Sequence, residues 1–104
     1  MAQFDVHRNT SKTTIAEFPY LLEIQSNLFE DSTRVVVIAL VFVSSLTYRD
    51  STLNSEFEVE GACVSLFSLD ISSMDKSPLG KTVVSLRSDG DRIVAALDLL
   101  FARF

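Results

Sequence analysis

The chain has 104 residues, 47% of them apolar and 22% charged, and its ten aromatics supply enough apolar surface for one folded domain spanning residues 1–104. Its net charge is −5, and its six arginines and three lysines are scattered, so no basic stripe exists to neutralise phosphates and direct nucleic-acid binding is not expected. The longest apolar run, Val35–Val43, is far short of the roughly 20 residues a membrane helix needs. Met1 to Arg8 lacks an apolar leader and Cys63 has no cysteine to pair with, which together predict a soluble, cytoplasmic protein. A mean hydropathy of +0.27 is high for so small a domain, and a subunit interface is the simplest sink for the excess apolar surface.

Along the chain, Gln3 to Arg8 predicts a first strand with Phe4 and Val6 on one face, followed by polar turn material from Asn9 to Lys12. Tyr20 to Gln25 predicts a second strand, opened by Pro19, with Tyr20, Leu22 and Ile24 inward and Glu23 and Gln25 outward. Asn27 to Thr33 is a connection in which Leu28 and Phe29 stand out as apolar residues among polar ones. Val35 to Val41 is β-branched and apolar at both parities, the pattern of a strand buried on both faces. Ser44 to Ser55 is expected to be loop. Phe57-Glu58-Val59 and Cys63 to Phe67 flank Glu60-Gly61-Ala62 and predict a hairpin. Asp70 to Pro78 is expected to return to polar loop, and Leu79 to Leu86 is an apolar piece of open assignment. Ser88 and Asp89 can cap a final helix, in which Ile93, Ala96, Leu97, Leu100, Phe101 and Phe104 recur at the spacing of one face. The sum is about five strands and one C-terminal helix.

These residues offer no reaction centre. His7 is the only histidine, and a structural or surface role fits it better than general-base work, which needs a second group in reach. Cys63, between Ala62 and Val64, is expected to pack as a small hydrophobe, and no Cys/His spacing suits zinc. Glu56, Glu58 and Glu60 alternate with Phe57 and Val59 as a solvated strand face would, and Asp89-Gly90-Asp91 lacks the rest of a calcium loop. No catalytic residue, metal site or cofactor is expected.

The ordered set Gln3-Phe4-Asp5-Val6, Pro19 to Asn27, Arg34 to Leu40, Leu53-Asn54, Phe57 to Gly61, Leu79-Gly80 and Asp91 to Phe101 resembles the CcdB family of toxins from toxin–antitoxin modules. The resemblance implies a mainly β fold, an SH3-like, partly open β-barrel of the CcdB/MazF type with a C-terminal α-helix, assembled as a homodimer. It further implies a non-enzymatic toxin of the plasmid-maintenance kind. Such a toxin inserts into the A subunit of DNA gyrase, traps the complex in which gyrase is joined to cleaved DNA, and is neutralised by a CcdA-like antitoxin. By the same resemblance, Leu28, Phe29, Asp98, Phe101, Ala102, Arg103 and Phe104 face gyrase, and Glu23, Gln25, Ser26 and Asn27 face the antitoxin.

Two departures bear on that activity. Where well-known poisons of the family end in Trp-Gly-Ile, this chain has Ala102-Arg103-Phe104, so a stacking interaction worth about 0.5–2 kcal/mol per ring is lost and a cation is added. Ala39 stands where the family commonly has proline. The altered end favours a second possibility, a family member that keeps its antitoxin contact but not its poisoning. A third, a MazF-like endoribonuclease, calls for a basic RNA groove that an acidic chain does not suggest.

Overall fold

The computed structural model describes residues 2–29, 31–46 and 55–101, so the Leu53-Asn54 motif and Ala102-Arg103-Phe104 lie outside the described residues. Among the described residues six strands precede one α-helix: β1 Asp5–Arg8, β2 Tyr20–Glu23, β3 Arg34–Phe42, β4 Glu56–Val59, β5 Ala62–Asp75, β6 Thr82–Ser85 and α1 Gly90–Phe101. They form one antiparallel sheet in the order β4-β5-β3-β2-β1-β6. The architecture is mainly β, a curled half-barrel with a C-terminal helix, as the resemblance implied.

β3 sits at the centre because its residues are apolar on both sides. Ile38 and Leu40 enter the main core, while Val35, Val37, Ala39 and Val41 are buried on the opposite face. On the core face, Val6, Leu22, Val59, Val64 and Leu66 meet Ile38 and Leu40, and α1 closes over them with Ile93 and Ala96. Burial of each large side chain contributes roughly 1.5–3 kcal/mol. The hairpin between β4 and β5 is tighter than expected. Val59 pairs with Ala62, leaving Glu60 at φ 50° and Gly61 at φ 80° as a two-residue turn, the left-handed pair that matches strand twist.

The half-barrel is held curled by that turn. Glu60 is bound by the Arg8 guanidinium at the end of β1, whose Nε donates over 3.2 Å, and it accepts the Tyr20 hydroxyl of β2 at 2.8 Å. Arg92 does similar work for the helix: it bonds Asp89, donates to the Glu56 carbonyl at 3.0 Å and lies 4.7 Å from the centre of the Phe57 ring.

Several expectations are corrected. Asp70 to Asp75 is strand, not loop: β5 continues beside β3 as far as the Arg34–Asp75 pair. A break in register between Ile38 and Ala39 leaves residues 68–70 extra on β5, and the serines beyond it pair through their backbones. The open piece from Leu79 contains edge strand β6, and the helix begins at Gly90 after a 3-10 turn over Arg87–Asp89. Cys63 is exposed rather than packed.

Because β5 lies beyond β3 and β6 lies beyond β1, residues 76–81 must cross β3, β2 and β1. They do so on the sheet face away from α1. The Lys76 amide bonds the Thr33 carbonyl at 2.9 Å at one end, and Thr10 Oγ1 donates to the Pro78 carbonyl at 2.7 Å toward the other. A side chain at Gly80 would place its Cβ 2.5 Å from the Arg8 carbonyl oxygen, so only glycine lets the crossover lie this close to β1. Glu23, expected to face outward, is instead buried beneath this crossover at 5% exposure. Alternation placed it correctly on the face opposite Leu22, but that face is covered by sequence more than fifty residues away.

Candidate functional site

Residues 23–29 build a display platform. Gln25 is half-buried and acts as a clamp: its Nε2 donates to the Phe29 and Arg34 carbonyls, each at 3.3 Å, and its Oε1 accepts the Val36 amide at 3.3 Å. Ser26 Oγ accepts the Leu28 amide at 3.2 Å, and the Phe29 amide closes onto the Ser26 carbonyl at 3.0 Å. Asn27 Oδ1 takes the Gln3 amide at 2.8 Å, tying the turn to the chain start. These bonds fold Asn27–Phe29 into one turn of 3-10 helix and leave Leu28 89% and Phe29 60% exposed. Apolar side chains held in water by a satisfied backbone are poised to be covered by something else.

A second apolar surface lies on α1. Ile93, Ala96 and Leu97 turn to the core, whereas Val94, Asp98 and Phe101 follow one another at helical spacing on the outer side, with Val94 and Phe101 both exposed. Sequence periodicity placed Phe101 on the buried stripe; at 70% exposure it is outside it. The core simply ends before the last turn of the helix arrives. Leu99 is also exposed, but two residues before Phe101 it lies on the other flank of the helix, and it was not singled out from sequence.

The two surfaces are not contiguous within one chain. The 3-10 turn sits by the start of α1, where Asn27 lines a hollow of about 300 Å³ with Phe4, Ser85 and Arg87. Phe101 is a helix length away, about 1.5 Å per residue over the twelve residues of α1. Of the residues the resemblance assigns to gyrase, Leu28, Phe29, Asp98 and Phe101 are exposed, and Ala102, Arg103 and Phe104 fall outside the described residues. Of those assigned to the antitoxin, Asn27 is exposed, Gln25 and Ser26 are half-buried and Glu23 is buried.

His7 is 1% exposed, with Nδ1 engaged by the Gly80 carbonyl at 3.0 Å. Among the described residues no three His, Cys, Asp or Glu side chains gather as a metal site, and no helix is long and apolar enough to cross a membrane. Burial pushes the Glu23 carboxyl above its ordinary pKa, with Asp5 adding to the shift and the charges of His7, the amino terminus and Lys76 opposing it. Glu60 goes the other way, held below the ordinary range by its hydrogen bonds from Arg8 and Tyr20.

The family model described as CcdB protein matches residues 3–102. The chain belongs to the CcdB family. Curated protein sequences gave no match. Among solved structures, this CcdB family chain is similar to an endoribonuclease in complex with its cognate antitoxin from a mycobacterial species, at 16% identity and a TM-score of 0.76, with 100% of this chain and 99% of that one covered. It is also similar to a second mycobacterial endoribonuclease, at 17% identity and a TM-score of 0.72 over 95% of this chain and 88% of that one. At such identities the likeness is one of fold: a CcdB family chain and these endoribonucleases share the half-barrel and helix.

Proposed function

We propose that the chain is a CcdB-like toxin that acts as a homodimer by docking, without catalysing a reaction. Its target is the gyrase A subunit, where it traps the gyrase–DNA cleavage complex, and a CcdA-like antitoxin neutralises it. The observation that carries this reading is the pair Leu28 and Phe29, 89% and 60% exposed on a turn that the hydrogen bonds of Gln25, Ser26 and Asn27 hold in shape. Membership of the CcdB family supports the target, and the structural neighbour bound to its cognate antitoxin supports an antitoxin partner. A two-fold dimer would bring exposed surfaces of two chains together, which one chain does not do by itself.

The test is to incubate purified protein with gyrase, ATP and supercoiled DNA and to measure cleavage complexes. Wild type is expected to accumulate them, and Leu28→Ser combined with Phe101→Ser is expected to reduce accumulation at least tenfold with an unchanged thermal midpoint. Equal accumulation by the variant overturns the assigned surface. Antitoxin binding without cleavage complexes makes the chain a family member that has lost poisoning. Sequence-specific cutting of an RNA pool puts it with the endoribonucleases whose fold it shares.

A further inference from the structure

Arg8, Arg34 and Arg92 are each engaged by an acid of the same chain, respectively Glu60, Asp75 and Asp89. Arg87 differs from them. It is exposed, and among the described residues no hydrogen bond or ion pair holds its guanidinium. Its backbone is fixed all the same: the Arg87 amide donates to Ser85 Oγ at 3.2 Å, and the Asp89 amide closes onto the Leu86 carbonyl at 2.9 Å. Arg87 lines the hollow of about 300 Å³ that reaches the Leu28–Phe29 turn through Asn27.

The hollow offers two more donors. Asn27 Oδ1 accepts the Gln3 amide at 2.8 Å, which sets the orientation of the side-chain amide and leaves its Nδ2 hydrogens without a partner among the described residues. Ser85 Oγ accepts the Arg87 amide, so the hydroxyl hydrogen remains able to donate. A planar guanidinium fork with neutral donors beside it matches a planar, singly charged acceptor, which is a carboxylate. Asp5 also lines the hollow; its Oδ2 accepts the Ala2 amide at 2.9 Å, and no ion pair joins it to Arg87. That second charge and the net charge of −5 oppose a nucleic-acid phosphate backbone, with its run of charges, more than they oppose one carboxylate.

We infer that Arg87, with Asn27 and Ser85 beside it, anchors a carboxylate of the protein that seats on Leu28 and Phe29. The inference rests on the docking reading of that turn, with the gyrase A subunit as the partner, and adds what the partner must carry there. In the free chain the guanidinium is solvated. Once a partner covers the turn it loses water, so a partner with an acid at that place is bound and one without it leaves a cation unpaired. Arg87 thereby sets specificity, while Leu28 and Phe29 supply apolar area.

The test measures binding of the full chain to purified gyrase A subunit without DNA, at two salt concentrations. Arg87→Gln is expected to weaken binding about tenfold and to flatten its salt dependence. Arg87→Lys, which keeps the charge but not the fork, should fall between Gln and wild type. Arg87→Glu should bind more weakly still, and within a panel of Asp→Lys and Glu→Lys variants of the gyrase subunit one should restore its affinity. Thermal midpoints should match wild type, because the side chain is exposed and unpartnered. Unchanged affinity of Arg87→Gln overturns the inference and leaves the docking reading standing. So does a loss that no gyrase variant rescues, a loss that appears only when DNA is added and thus reports a phosphate, or a lowered midpoint that makes Arg87 structural. Absence of binding by the wild type sinks the docking reading itself, and the inference with it.

Discussion

Two carboxylates on the same half-barrel live under opposite rules. Glu60 stands at the hairpin turn, partly open to water, with an arginine and a tyrosine hydroxyl aimed at it. Glu23 lies under the crossover with one oxygen unpartnered and its nearest formal charges mixed in sign. The first is stabilised as an anion and the second as an acid, although both were expected from sequence to lie on solvated strand faces. Residue type and strand alternation say which face a carboxylate occupies. What later covers that face decides which way its pKa moves.

The sharpest way to break the contrast is to lift the crossover. Gly80→Val drives a side chain into the Arg8 carbonyl, 2.5 Å from the Cβ position, and should cost about 3 kcal/mol in urea denaturation while exposing His7 and Glu23. Loss of under about 0.5 kcal/mol would mean that the crossover does not seal that face. A smaller effect is expected at the other carboxylate. Tyr20→Phe removes the hydroxyl that donates to Glu60 and should cost about 1 kcal/mol with the core otherwise unchanged. The smallest is a change of slope. Glu60 holds its proton less tightly folded than unfolded, so its contribution is present above the ordinary value of 4.5 and lost as pH falls through the lower folded value. An acid titration of Glu60→Gln should therefore be flatter than wild type in that low-pH window, the reverse of the sign expected at Glu23.

What the sequence disclosed follows the range of the interactions. Val35 to Val41 and the Phe57–Phe67 hairpin were legible because periodicity and a glycine turn are local properties. The same holds for the inward residues Ile93, Ala96 and Leu97 of the helix. Asp70 to Asp75 was misread because Ser72 and Ser73 carry no apolar signal, yet they pair through backbone groups with Val37 and Val36. Glu23 was misplaced because its cover comes from residues 76–81, and Phe101 because a helical wheel does not show where the core stops. Leu28 and Phe29 were conspicuous in sequence, and the structure adds the Gln25 clamp that holds them out.

The strand order also governs when the fold can be completed. β1 finds one of its two ladder partners only in β6, with His7 pairing Thr82 across 75 residues. Contacts of such separation bear a large loop-closure entropy, so they form late and slow folding. A ribosome must therefore release everything from β1 as far as β6 before this edge of β1 is capped. For that interval the nascent chain carries an open strand border, the kind of surface on which a chaperone or a second nascent copy can seat itself.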